Sequence, residues 1–320
     1  MVRRAFFWLI IASFSAFFGE VTIGATLYPF FTFCGLLVIL PLYGLHTLIL
    51  GSVVYHFGKP RFETLYLAGV IFGLYEAYIT KVVWNPEWES PIHIGGIGIF
   101  EVLVIVLFWH PFMSFILPIG FAELLTSKRN VLPSPILKRP YSFAFIFGML
   151  ESSNSPSPFA SFTSAVSTLG VILLLIYIWR QKFDRDDDME GLLPTKRELR
   201  FLIPMLLLYY VVLGFGINPA AIPEIGAQAV IWLLYALTFY LIYRALKRSK
   251  REDIERVECE LDFYRLFIFS LIFTISAVLF SILEVQFHEL KFIILTVLWL
   301  VGSGIGIISF WKSAKWALKA

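Results

Sequence analysis

Long apolar runs cut by short charged clusters set the limits on what this chain can fold into. Ten such runs span residues 5–25, 29–56, 62–84, 95–118, 141–157, 159–180, 199–218, 224–246, 263–284 and 290–312. A bilayer core of about 30 Å takes roughly 20 apolar residues per helix, and only helices and closed barrels satisfy their own backbone in lipid. With 58% hydrophobic and 18% aromatic residues, the chain leaves little material for a soluble domain. The expectation is an all-α polytopic protein of the cell membrane with about ten transmembrane helices. The start, "MVRRAFFWLIIASFSAFF", has the basic and apolar regions of a signal peptide. It lacks a clear small-x-small cleavage site, so it reads as a retained first helix.

Charge sets the expected orientation, because short cytoplasmic loops collect Lys and Arg. If the N-terminus is cytoplasmic, 24 of the 26 Lys and Arg residues fall on the cytoplasmic side, and only Lys81 and Lys291 fall opposite. Both termini are then cytoplasmic. Nine acids lie outside or in the outer half: Glu20, Glu76, Glu87, Glu89, Glu101, Glu151, Glu224, Glu284 and Glu289. Such a surface attracts cations. Polar residues crowd the first six spans, dividing the chain into a polar-lined module (1–180), a charged linker (181–198) and a four-span module (199–320).

The parity of crossings draws attention to "FIFGMLESSNSPSPFASF", residues 145–162. Pro140 keeps the fifth span from starting much before Tyr141, and ten residues of helix from there cover about 15 Å, half the membrane. Residues 151–158 are therefore expected as a broken or re-entrant segment at lipid depth, with a short loop dipping into the headgroups as the other reading. Irregular backbone at that depth needs protein or water around it. A split after the fifth span also allows a 5+5 inverted repeat, with "ASFSA" at 12–16 answering "ASFTSA" at 160–165. Inverted repeats with broken helices belong to transporters.

Ionisable residues inside spans are costly and face bundle interiors or water-filled paths. The candidates for binding substrate or ion are Glu20, Glu76, Lys81, Glu101, His110, Glu151, Ser152 and Asn154. Tyr66, Gly69, Gly73, Glu76 and Thr80 share one helical face, and Gly69-x-x-x-Gly73 lets another helix approach closely. Lys81 stands five residues from Glu76, a poor offset for pairing on one helix. His46 and His110 lie too deep for headgroups, although a deep histidine is more often a neutral packed residue than a relay.

Signatures of zinc hydrolases, nucleophile elbows, phosphate-binding loops and Cys-x-x-Cys centres are missing from the sequence. No cofactor or metal is expected, and no nucleic-acid partner. The acidic run "DRDDDME" reads as a solvated linker, and "RALKRSKR" as a contact for anionic membrane lipids. Cys34 and Cys259 lie at different depths, so no disulfide is expected. Seven Gln and Asn residues in 320 suit a thermophile. The reading that follows is a secondary transporter with an outward-facing acidic cavity for a cation or a cationic or polar small molecule, open to proton coupling. The alternative is a membrane-embedded enzyme that acts on a lipid or lipid-linked substrate at the outer leaflet through buried carboxylates.

Overall fold

The structure, a computed structural model, describes residues 2–84, 92–126, 129–130, 138–183, 189–252, 257–258 and 262–319. Glu87, Glu89, Asp187 and Cys259 lie outside them. The helices are α1 (Val2–Gly19), α2 (Gly35–Phe57), α3 (Phe62–Thr80), α4 (Ile99–Thr126), α5 (Pro140–Ser152), α6 (Pro158–Lys182), α7 (Lys196–Gly216), α8 (Ile225–Ser249), α9 (Phe263–Gln286) and α10 (Glu289–Leu318). Each expected run holds one of them. Among the described residues eight are long and apolar enough to cross a membrane, all but α3 and α5. The chain is an all-α, multi-pass membrane protein. Two-residue antiparallel ladders, His93–Ile94 with Ile97–Gly98 and Arg129–Asn130 with Val257–Glu258, tie down loops.

Of the boundaries that depart from the apolar runs, two have a clear local cause. The second helix begins at Gly35 rather than at residue 29, because Pro29 biases Tyr28 away from helix and Gly24 (φ 70°) turns the chain back. The fourth helix runs on to Thr126, and its middle, Val102–Ile116, is wound as a π-helix with Pro111 inside it. Proline lacks the N–H and crowds the carbonyl four residues back. The wider π turn, frequent at functional sites, accommodates it.

The chain forms two compact units, each drawn from three stretches: Met1–Gly44, Leu117–Leu193 and Glu255–Leu298 in the first, Leu45–Ile116, Pro194–Ile254 and Trp299–Ala320 in the second. Each unit draws residues from both 1–180 and 199–320.

In the first unit α1 turns buried aromatic rings onto its neighbours. Phe18 meets Phe121 at 5.0 Å and Phe147 at 5.9 Å, and Phe17 meets Phe273 at 5.3 Å. The backbones of α5 and α9 nearly touch: a Cβ on Gly148 would stand 2.2 Å from the Phe273 carbonyl. Ser276 donates to the Phe145 carbonyl across the same contact, at 2.7 Å.

In the second unit α3 is the central helix, buried from Thr64 to Ile79. Its glycine face meets α4 as the spacing predicts. Cβ atoms on Gly69 and Gly73 would lie 2.5 Å from Pro111 Cα and 2.9 Å from Val106 Cα. Tyr66 donates to the Leu107 carbonyl at 2.7 Å and Tyr75 to the Leu206 carbonyl at 2.6 Å, binding α4 and α7 to α3. In the last turn of α8, Arg248 donates to Glu252 at 2.8 Å and lies over the Trp316 ring. Arg61 reaches the same carboxylate at 3.4 Å.

Candidate functional site

The polar candidates fall into two groups, four in each unit. In the second unit the close α3–α4 approach sets two titratable side chains face to face. His110 Nε2 lies 3.2 Å from Glu76 Oε2, and both residues are buried. His110 Nδ1 is 2.9 Å from Ser114 Oγ, one turn along α4. The serine hydroxyl either donates to Nδ1 or accepts from it, so the ring can hold its proton on either nitrogen. With Nε2–H the ring donates to an ionised Glu76; with Nδ1–H it accepts from a protonated Glu76. Phe72 stacks on His110 (5.4 Å), and His46 stacks on Phe72 (4.4 Å). The apolar ring thus separates the two imidazoles, and His46 is packed edge-on to Tyr75 instead.

Lys81 has a different occupation. It ends α3 in the left-handed conformation (φ 59°) and is 1% exposed. Its ammonium donates to the carbonyls of Ile79, Gly214 and Ile217. Three donors meet three acceptors, and the positive charge sits at the C-terminus of α7, where the helix dipole favours it. Glu101 is buried in the first turn of α4, where helix-terminal amides favour a carboxylate.

In the first unit Glu20 accepts from the hydroxyls of Tyr43 and Thr26, the latter at 2.6 Å. It precedes the short turn Val21–Ile23, which packs against the end of α5. Asn154 is exposed and donates to the Ile23 carbonyl at 2.7 Å. Gly24 is held by this contact, since a Cβ there would stand 2.7 Å from the Glu151 carbonyl. The α5 helix has 13 residues, about 20 Å of rise, well short of the apolar core. After a turn the chain restarts at Pro158, with Ser157 capping α6 through the Ala160 amide. The helix is interrupted between Ser152 and Pro158, as both readings of that segment require.

Glu151, at that break, is 0% exposed, and neither carboxylate oxygen finds a partner at full hydrogen-bond geometry. The hydroxyls of Ser161 and Ser164 lie close enough for weak hydrogen bonding to it. Ser164, however, spends its proton on the Leu27 carbonyl at 2.9 Å, and Ser161 Oγ has no well-formed hydrogen bond either. Ser152 donates to Glu284 at 3.0 Å and Ser153 approaches it at 3.4 Å. Glu284, Ser153, Ser161, Ser164 and Ser114 join these groups, although none of them was among the eight candidates for binding. Serine spacing alone, 161 and 164 on one face of α6, was the available signal. Among the described residues no group of three or more His, Cys, Asp or Glu side chains could hold a metal ion.

No solved structure matches the chain. An uncharacterized protein of Archaeoglobus fulgidus is 33% identical over 259 residues, covering 78% of this chain and 80% of that one. The match of a family model to residues 9–314 agrees with the helical, apolar architecture: the chain belongs to an uncharacterized membrane protein family.

Proposed function

We propose that this protein is a secondary transporter, with both termini cytoplasmic, that moves a cation or a cationic polar small molecule and couples the movement to protons. The Glu76–His110 couple carries the reading. With one proton shared between them the pair is neutral, and without it the pair carries one negative charge. A buried unpaired charge is expensive. Release of the proton therefore favours either entry of a cation or a change of conformation that exposes the couple. The π-wound segment of α4 supports this, because its irregular winding places His110 on backbone able to rewind. The helix break at 151–158 supports it as well.

Liposomes carrying the purified protein and an imposed pH gradient test the proposal, with sodium, methylammonium and spermidine as probes. Gradient-driven uptake of at least one probe is expected. Glu76→Gln should abolish it while leaving exchange of the same probe across the membrane. If no probe responds to the gradient, the transport reading fails. Should uptake persist in Glu76→Gln, the couple is a packing contact. A lipid-processing enzyme would turn over its lipid without any gradient.

A further inference from the structure

We propose that Glu151 and the serines facing it from α6 form a binding site for one small monovalent metal cation, in competition with a proton. The inference concerns binding in the first unit and stands whether or not the protein transports. An ionised carboxylate fully removed from solvent costs several kcal/mol unless something neutralises it, and buried polar atoms are normally paired. Glu151 is fully buried with neither oxygen in a well-formed hydrogen bond, and it faces Ser161 Oγ, equally buried and equally short of a well-formed one. All the groups at hand are hard oxygens: a carboxylate, the Ser161 and Ser164 hydroxyls, and the Glu284 carboxylate held by Ser152 and Ser153. Oxygen-only surroundings suit alkali and alkaline-earth ions and not the metals that prefer nitrogen or sulfur.

Charge decides the valence. Glu284, on α9, is half-buried rather than enclosed, accepts from two serine hydroxyls, and feels Lys291 of α10 only as the weakest of its influences while repelling the charge on Glu151. From α6 only hydroxyls face Glu151. From the Val21–Ile23 turn comes the Ile23 carbonyl, already bonded to Asn154, and Glu20 before it is held by Tyr43 and Thr26. One negative charge, that of Glu151, is left without a counter-charge. A monovalent ion or a proton balances it, whereas a divalent ion leaves a surplus of one.

The test uses the full chain in detergent and follows thermal unfolding at constant ionic strength. Lithium, sodium, potassium and calcium chlorides are titrated against N-methylglucamine chloride. One alkali ion should raise the melting midpoint along a saturable curve, as expected of a ligand that binds only the folded state. Below the pH at which Glu151 takes up a proton, each unit of acidification should raise the half-saturating concentration about tenfold. Glu151→Gln should lose the response, and Ser161→Ala should weaken half-saturation by tenfold or more. If Glu151→Gln does not fold, binding of radioactive sodium to wild type and Ser161→Ala decides the matter. No saturable response to any alkali ion, a response only to calcium, or an unchanged response in either variant overturns the site. A protein that binds the ion but takes up no probe in the liposome assay refutes the transport reading alone.

Discussion

Gly69→Ala probes the contact on which the Glu76–His110 couple depends. The added Cβ would stand 2.5 Å from Pro111 Cα, 3.0 Å from its Cβ and 3.1 Å from its carbonyl oxygen. Two of these atoms belong to the backbone and cannot rotate away. Restoring an ordinary contact requires α4 to retreat by about 0.9 Å, and such overpacking costs roughly 1–3 kcal/mol. His110 directly precedes Pro111 and moves with it. A separation of 3.2 Å from Glu76 then becomes about 4 Å, beyond hydrogen-bond range, which adds about 1 kcal/mol. The total is about 3 kcal/mol, so tryptophan-monitored unfolding in detergent should shift down by several degrees. Gradient-driven uptake should fall with it. Gly304→Ala is the control in the same unit, since nothing lies within 4 Å of a Cβ there. That helix should gain roughly 0.5–1 kcal/mol from alanine's lower backbone entropy cost. If Gly69→Ala melts with the control, the close approach is not under strain. If it is destabilised yet transports normally, the seam does not position the couple.

Other expectations are as direct. Lys81→Met should destabilise by about 3 kcal/mol, because the α7 carbonyls lose charge-assisted donors in a buried place; an unchanged unfolding midpoint would refute the capping role. The Arg248 guanidinium, hydrogen-bonded to Glu252, holds that carboxyl below the usual range, with Arg61 adding to it. A depressed value contributes stability above the ordinary carboxylate pKa and loses it as pH falls through the depressed one. The stability gap between wild type and Glu252→Gln should therefore be present at neutral pH and close in acid; a gap independent of pH would show that the charge is not involved. For orientation, single cysteines replacing exposed Lys196 and Lys250 should label only from the cytoplasmic side, in a background lacking Cys34 and Cys259. Cysteines at Glu224 and His288 should label only from outside, and same-side labelling of all four would end the ten-span topology.

What could be known from the sequence is local or additive. Apolar run length predicts a helix without reference to any partner, and each of the ten runs holds a helix, though some ends differ by several residues. Caps behave likewise: Thr195 and Glu198 bond each other's amides at the start of α7, and Ser157-Pro158 starts α6. The Gly69/Gly73 face also announced a close neighbour, because two missing side chains one turn apart leave a groove whatever fills it. The identity of the neighbour was not announced. Glu76 chose His110 on another helix over Lys81 five residues away, and Lys81 turned to the end of α7. Glu151 met serines of α6 because α5 stops at Ser152 and the chain doubles back. Hydropathy and period describe one helix at a time. Which polar groups meet depends on helix rotation, on the distance allowed by facing glycines and on where a broken helix ends, and only tertiary packing sets these.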